Sequence, residues 1–221
     1  MSPDSQLKYL KPGRASFDPL LLDFVAEFVR RESVVWDVGA NVGVLSLAAA
    51  HLATAGHALA IEPDPFLAHA LTKTRMDPRN ADLRLEILQA AVADRRDVLA
   101  LGLSLRGRAR NSLVMHSRDA AATRARIHVP TVTLDELTER FAPPTVLKID
   151  VEGAESAVLA GATDLLRRHR PVILIEVGVE ATDRVTQQLR DAGYSLRDAG
   201  AAAAERRPLD CCSFNTLALP A

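Results

Sequence analysis

Short apolar runs alternate with segments of helical periodicity along most of the chain. The apolar runs are rich in β-branched residues and predict buried strands of a parallel sheet. These predicted strands cover residues 34–38, 58–61, 84–93, 146–149 and 170–177, and two closing strands cover 193–196 and 213–219. Apolar residues at helical spacing predict helices that begin near residues 17, 44, 66 and 180. Strands that alternate with helices in this way are typical of an α/β fold with a mostly parallel sheet.

Two segments depart from this alternation. Residues 1–30 form a polar arm and then a helix, for which Asp18 is the predicted N-cap and Pro19 the first-turn proline. This segment either packs on the edge of the sheet or covers a site. Residues 98–132 have a weaker pattern with many arginines and predict a β-excursion, which is either solvated or a flap over a substrate. His116 lies within this excursion and is a candidate general base.

The turn from Asp37 to Gly43 joins the first predicted strand to the helix that follows it. Glycine in such a turn permits positive φ angles and a close approach of the backbone to a ligand, which the free N–H groups of the helix then face. The dinucleotide fingerprint Gly-x-Gly-x-x-Gly, aligned from Gly39, is not matched, because its other glycines would fall on Asn41 and Val44. A Tyr-x-x-x-Lys pair for hydride chemistry is also absent. An NAD(P)-dependent oxidoreductase is therefore an alternative that the sequence disfavours.

Acidic residues follow several of the predicted strands. Glu62 comes about 20 residues after the glycine turn, where a carboxylate can accept both ribose hydroxyls of an adenosine ligand. Asp150, Glu152 and Glu155 follow the fourth strand, and Glu176 lies at the end of the fifth. Burying carboxylates costs free energy unless they find partners, and a cationic cofactor or an acceptor hydroxyl that loses its proton is such a partner. The alternative is that Asp150 and Glu155 only stabilise the N-terminus of the next helix.

Composition narrows the functional classes. The chain has 221 residues, 25% charged residues and a formal net charge of -1, which favours one globular domain without a general attraction to nucleic acid. No apolar run is long enough to span a bilayer, and the N-terminus lacks the apolar core of a signal peptide. Adjacent Cys211 and Cys212 are a poor basis for a disulfide framework, so a cytoplasmic location is expected. No His/Cys cluster has the spacing of a zinc site.

Two motifs resemble those of a known family. The turn reads DVGANVG at 37–43, and the fourth strand with the acids after it reads LKIDVEGAE at 147–155. Both resemble the FkbM family of class I methyltransferases, which use S-adenosylmethionine (SAM), and the resemblance covers roughly residues 30–220. It implies a single Rossmann-like domain over residues 1–221, with a mostly parallel seven-stranded sheet, helices on both faces and an antiparallel C-terminal strand pair.

The resemblance also implies roles for individual residues. The implied cofactor contacts are Asp37, Gly39, Asn41, Gly43 and Asp150 at the methionine end, Glu62 at the ribose and Asp94 at the adenine. The implied catalytic residues are Asp150 and Glu152, and the implied acceptor residues are Asn111 and Ser112. His116 is added to the catalytic candidates because histidine is a suitable base, and Glu176 to the acceptor candidates because it ends a neighbouring strand. Asp94 can equally be a solvated turn residue. No metal is expected, although Asp150, Glu152 and Glu176 are of the residue types that bind magnesium.

The reaction that the resemblance implies is O-methylation of a hydroxyl on a small molecule, a sugar or a natural-product scaffold. This reaction needs in-line alignment of acceptor, methyl carbon and sulfur, together with carboxylate-assisted removal of the hydroxyl proton. A catalytically silent SAM-fold protein that serves as a binding subunit is a second alternative. The expected partner is the hydroxylated acceptor, with neither nucleic acid nor membrane, and a homo-oligomer is compatible with the sequence.

Overall fold

The computed structural model describes residues 18–104, 112–113 and 123–221, and its strands form two sheets. The strands of the main sheet are β1 (Val34–Val38), β2 (His57–Ile61), β3 (Leu85–Leu88), β8 (Val146–Ile149), β9 (Val172–Glu176), β10 (Tyr194–Asp198) and β11 (Asn215–Pro220). The strands of the second sheet are β4 (Ala91–Val92), β5 (Asp97–Ser104), β6 (Ser112–Leu113) and β7 (Thr123–Val132).

The main sheet is built outward from β1. Its strand order is β10-β11-β9-β8-β1-β2-β3, so the chain first moves from β1 to β2 and β3 and later returns to β8 on the other side of β1. β11 is antiparallel to both of its neighbours, whereas the remaining neighbours pair in parallel. A reversal of this kind leaves a crevice beyond the carboxyl ends of β1 and β8, where open α/β sheets bind their ligands. The predicted seven-stranded sheet with its antiparallel C-terminal pair is confirmed.

Helices cover both faces of the main sheet. They are α1 (Pro19–Phe28), α2 (Val44–Leu52), α3 (Pro65–Arg75), α4 (Leu134–Leu137), α5 (Glu155–Ala160), α6 (Thr163–Arg168) and α7 (Thr182–Asp191). Val35 belongs to the apolar cluster of α1 and α2, and its neighbour Trp36 belongs to the cluster of α4 to α7, because successive strand side chains point to opposite faces. No helix in the described ranges is long and apolar enough to cross a membrane.

Helices α1 and α4 begin with side-chain caps. The Asp18 side chain accepts a hydrogen bond from the backbone N–H of Leu20, and Pro19 is the first residue of α1, so the predicted start of this helix is confirmed. Thr133 and Glu136 form a capping box at the start of α4, in which each side chain accepts from the other residue's backbone N–H.

The prediction of a single third strand over residues 84–93 is wrong. β3 ends at Leu88, and β4 begins at Ala91 in the second sheet, where it pairs in parallel with β7. The chain turns between them, because the backbone N–H of Ala90 donates to the carbonyl of Leu88 at 3.2 Å. The periodicity of the residues carries no signal for this change of sheet, since both pieces have the pattern of strands.

The β-excursion that follows β4 contains the second sheet. Its main feature is a long antiparallel pair of β5 and β7. Leu101 of β5 and Val129 of β7 form a small buried cluster with Ala91 of β4. Residues 105–111 and 114–122 lie outside the described part of the chain. The predicted role of the excursion as a substrate flap therefore stays a prediction.

We expect Gly39→Ala to destabilise the protein strongly. Gly39 has a φ of +75°, and a Cβ at this position would lie 1.8 Å from the backbone oxygen of Asp150. Backbone strain and this clash together should lower the free energy of unfolding by about 3 kcal/mol. Urea denaturation of the variant measures the loss.

Gly178→Ala is the matched control for this substitution. No atom lies within 4 Å of the position of its Cβ, so the free energy of unfolding should stay within about 0.5 kcal/mol of the wild-type value. Equal stabilities of the two variants would contradict the tight contact between the glycine turn and the end of β8.

Candidate active site

A cleft opens beyond the carboxyl ends of β1, β2 and β8, next to the second sheet. Its polar lining comes from Gly39, Asn41, Glu62, Asp150 and Glu152. Its apolar lining comes from Val38, Ile61, Pro63, Leu67, Ala90, Ala91, Val92, Leu101 and Val151. The cleft thus brings together residues from both predicted motifs at the point where the strand order reverses.

The glycine turn folds back onto the end of β2. Gly39, Asn41 and Gly43 have positive φ angles of 75°, 54° and 83°. Glycine and asparagine adopt such angles more readily than other residues. The backbone N–H groups of Gly39 and Ala40 donate to the carbonyl of Ile61 at 2.9 and 3.1 Å. The turn therefore has the conformation that its glycines predict, and it is anchored to the neighbouring strand.

Glu62 is held in the lining of the cleft by two backbone N–H groups. Its carboxylate accepts hydrogen bonds from Asn41 at 2.8 Å and from Asp64 at 2.9 Å. The residue is only 5% exposed. Burial raises its pKa to about 7, in spite of these two hydrogen bonds. A small change in its surroundings therefore changes the charge of Glu62 at neutral pH.

Asp37 is buried behind the glycine turn and is not among the residues that line the cleft. Its carboxylate accepts a hydrogen bond from the hydroxyl of Ser46 and lies 3.2 Å from the ammonium of Lys148. These contacts hold the start of the turn in place on its buried side, away from the cleft. A direct contact between Asp37 and the cofactor stays a prediction.

Lys148 belongs to the site, although the sequence analysis assigned it no role. It is 5% exposed within β8, whose other residues are apolar and buried. Its Nζ atom lies 3.2 Å from Oδ1 of Asp37 and 3.5 Å from Oδ2 of Asp150. A lysine in an apolar strand must find a partner because a buried unpaired charge is costly. This mismatch between residue and strand is the sequence signal that could have identified it.

Three carboxylates meet at the ends of β8 and β9. Asp150, Glu152 and Glu176 each place one oxygen within 4.8 Å of the others. Burial, followed by the charges of Asp150 and Glu152, raises the pKa of Glu176 to about 7. Glu152 and Gly153 have φ angles of +51° and +103°, so the turn that carries Glu152 is strained, as backbones at functional sites often are. This acidic group can take up a proton near neutral pH, and it offers oxygens of the kind that hard cations bind.

Two other predicted acids lie away from the cleft lining. Asp94 is exposed and forms an ion pair with Arg95 at 3.2 Å, so its contact with adenine stays a prediction. Glu155 is 2% exposed, and its carboxylate accepts a hydrogen bond from the backbone N–H of Gly153 at 2.7 Å. Glu155 therefore fixes the turn that carries the other acids.

The predicted residues of the excursion are described only in part. Asn111 and His116 lie outside the described residues, and Ser112 is described only as part of β6. Their predicted roles at the acceptor and as a base stay predictions.

The lining of the cleft fits SAM by its chemistry. SAM carries a sulfonium and an ammonium group, a ribose diol and a flat adenine ring. Asp150 and Glu152 would face the cationic end, and Glu62 would accept the ribose hydroxyls. Apolar residues of the lining, among them Leu67 and Leu101, would pack against the adenine.

Known sequences similar to this chain are methyltransferases. Residues 37–196 match the sequence model of a family described as "Methyltransferase FkbM domain". The chain is also 29% identical over 179 residues to the hexuronic acid methyltransferase AglP of Haloferax volcanii. That match covers 79% of this chain and 69% of AglP.

Solved structures of methyltransferases share the fold. Magnesium protoporphyrin IX methyltransferase (ChlM) from Synechocystis PCC 6803, solved with bound SAM, has a TM-score of 0.53 at 9% identity, with 99% of this chain and 90% of that chain covered. A SAM-dependent O-methyltransferase from Thermotoga maritima has a TM-score of 0.51 at 11% identity, with 100% of this chain and 71% of that chain covered. The predicted class I methyltransferase fold is therefore confirmed.

The region that matches the family contains the glycine turn at 37–43, Glu62 and the acidic motif at 147–155. It spans more than half of the 221 residues, so the resemblance seen in the two motifs is confirmed, and the NAD(P) alternative loses its support. The cofactor is S-adenosylmethionine, and the chain belongs to the FkbM family of methyltransferases.

Proposed function

We propose that this methyltransferase acts on a hydroxyl group of a small molecule, with a sugar or a natural-product scaffold as the acceptor. One observation carries the proposal: Asp150, Glu152 and Glu176 have carboxylate oxygens within 4.8 Å of one another, and the first two residues line the cleft. A hydroxyl that accepts a methyl group must lose its proton, and a nearby carboxylate is a suitable general base.

The acidic group suits this task near neutral pH. Burial and the charges of Asp150 and Glu152 raise the pKa of Glu176 to about 7. A general base is most effective when its pKa lies near the operating pH. The proton of the acceptor hydroxyl passes to this group, while the remaining carboxylate oxygens accept hydrogen bonds from the acceptor and hold it in place.

Charge at the site favours a hydroxyl over a carboxylate as the group that receives the methyl. Three carboxylates within 4.8 Å repel an anionic group at that point, whereas a neutral hydroxyl can donate to them. AglP, the relative from Haloferax volcanii, is a hexuronic acid methyltransferase. This similarity supports a sugar acceptor, and the charges around the cleft then favour a ring hydroxyl over an acid group of such a sugar.

The residues of the cleft bind and orient the two reactants. Bound SAM supplies a methyl group on a positively charged sulfur, which keeps the bonding electron pair when the methyl group leaves. Glu62 accepts the ribose hydroxyls, and the turn around Gly39 and Asn41 forms the wall beside them. Asp150 lines the cleft together with this wall and also belongs to the acidic group, so it can contact both the methionine end and the acceptor. Such fixed positions supply the in-line alignment that the transfer needs.

Asp150→Asn should retain SAM binding and lose turnover. The amide has the same size but neither accepts a proton nor carries a charge, so methylation of a hydroxylated acceptor should fall by about 100-fold. The dissociation constant for SAM, measured by calorimetric titration, should change by less than about tenfold, because other residues provide most cofactor contacts. Asp164→Asn on the exposed surface of α6 is the matched control and should behave as the wild type.

Unchanged turnover in Asp150→Asn would remove Asp150 from the reaction centre. A wild-type protein that methylates amines or carboxylates, but no hydroxyls, would overturn the proposed O-methylation. SAM binding without turnover on any acceptor would favour the catalytically silent binding subunit.

Binding of SAM should depend on pH through Glu62, whose pKa is about 7. The ionised carboxylate is the better hydrogen-bond acceptor, so affinity should be about tenfold higher at pH 8 than at pH 6. In the ligand-free protein, the stability of the fold depends on pH in the opposite direction. The folded state holds the Glu62 proton more tightly than the unfolded chain, so the free energy of unfolding falls as pH rises from 4.5, the ordinary pKa of a glutamate, to about 7.

Glu62→Gln should weaken SAM binding and reduce both of these pH effects. Titration calorimetry and thermal unfolding at a series of pH values measure them. Glu86→Gln, at an exposed position of β3, is the matched control and should keep the wild-type pH dependence. An undiminished pH dependence in Glu62→Gln would show that another group controls it.

A further inference from the structure

Lys148 is the one cation among the buried charged residues of the described chain. Its Nζ atom donates to the backbone oxygen of Gly39 at 2.6 Å. The same atom lies 3.2 Å from the carboxylate of Asp37 and 3.5 Å from that of Asp150. One ammonium group therefore contacts β1, the glycine turn after it and the acidic motif after β8.

The charge of Lys148 is permanent in this environment. Burial acts to lower the pKa of the ammonium, but the charges of Asp37 and Asp150 outweigh it and hold the pKa above its usual value. The charge of Lys148 also affects the pKa of two other acids at the site. Burial is the main cause that raises the pKa of Glu62 and of Glu176, and the charge of Lys148 acts in the opposite direction on both.

The contacts of Lys148 join the glycine turn to the end of β8, and the backbones of these two segments also pack closely at the same point. Gly39 lies so near the carbonyl of Asp150 that no Cβ fits between them. Behind this junction, the second carboxylate oxygen of Asp37 accepts a hydrogen bond from Ser46 on α2. The cofactor wall and the acid at the reaction centre are thus joined at one buried point, which is Lys148.

We propose that Lys148 is a positioning residue, which holds the glycine turn and the Asp150 carboxylate in one arrangement and keeps Glu62 ready to accept the ribose of SAM. The part of this proposal that concerns SAM binding needs only the cofactor of the family. The part that concerns the acceptor rests on the proposed function. The competing interpretation is a buried ion pair that serves only folding, since such pairs are often near neutral for stability and costly to break on one side.

Lys148→Met tests the proposal by titration of SAM and of its demethylated product at a series of pH values. The charges of Asp64 and Lys148 both act on the pKa of Glu62, and only the charge of Lys148 lowers it. Loss of the lysine charge should therefore move the pH midpoint of SAM binding upward by about one unit. At pH 7 the affinity should fall by about fivefold, because the ionised fraction of Glu62 would fall from about one half to about one tenth.

Lys148→Arg keeps the charge and should restore the wild-type pH midpoint, even if the larger side chain lowers the melting temperature. A combined Asp37→Asn and Lys148→Met variant removes both charges and leaves no uncompensated acid at Asp37, so it guards against a single variant that fails to fold. It should fold and still show the raised midpoint.

An unchanged pH midpoint in folded Lys148→Met or in the folded combined variant would overturn the proposal. A loss of SAM affinity that matches only the fraction of unfolded protein would also overturn it. Failure of both the single and the combined variant to fold would also overturn it, because Lys148 would then serve the fold. These measurements need no acceptor. An absence of turnover in the wild type would therefore count against the proposed function and leave the role of Lys148 to be decided by cofactor binding.

Discussion

Acids that end neighbouring parallel strands repel one another, and the site depends on how this repulsion is balanced. Asp37, Glu62, Asp150 and Glu176 lie at or beside the ends of β1, β2, β8 and β9, and Lys148 is the buried cation in their midst. A parallel sheet brings its carboxyl ends together, so the fold itself creates this concentration of negative charge. Two acids are paired with the ammonium, and two remain free to ionise near neutral pH. The same balance leaves the cleft suited to a cationic cofactor.

The two sides of the cleft differ in burial and in hydrogen bonding. On the cofactor side, the turn after β1 is bonded to the Ile61 carbonyl and to the carboxylate of Glu62. At the ends of β8 and β9, Glu152 is exposed on a strained turn, and Glu176 is only partly buried. The side of the cleft next to the glycine turn is therefore the more deeply buried and the more firmly hydrogen-bonded of the two.

The sequence predicts those parts of the fold and site that depend on neighbouring residues. Glycines predict the turn at 37–43, and the spacing from that turn identifies Glu62, because both signals are local. The break between β3 and β4 was not predictable from periodicity, since strand pairing is decided by distant residues of β7. The position of Asp37 behind the turn and its pairing with Lys148 were missed for the same reason: the two residues are more than a hundred positions apart and meet only because β1 and β8 are neighbours.

The second sheet leaves the main sheet after β3 and returns to it before β8, yet its β4 and Leu101 form part of the cleft wall. Among the described residues, no strand of the main sheet pairs with β5, β6 or β7. The seven strands can therefore keep their order and register whatever the length of the chain between β5 and β7. A change of length in this part of the second sheet can therefore alter one wall of the cleft without disturbing the strand order of the main sheet.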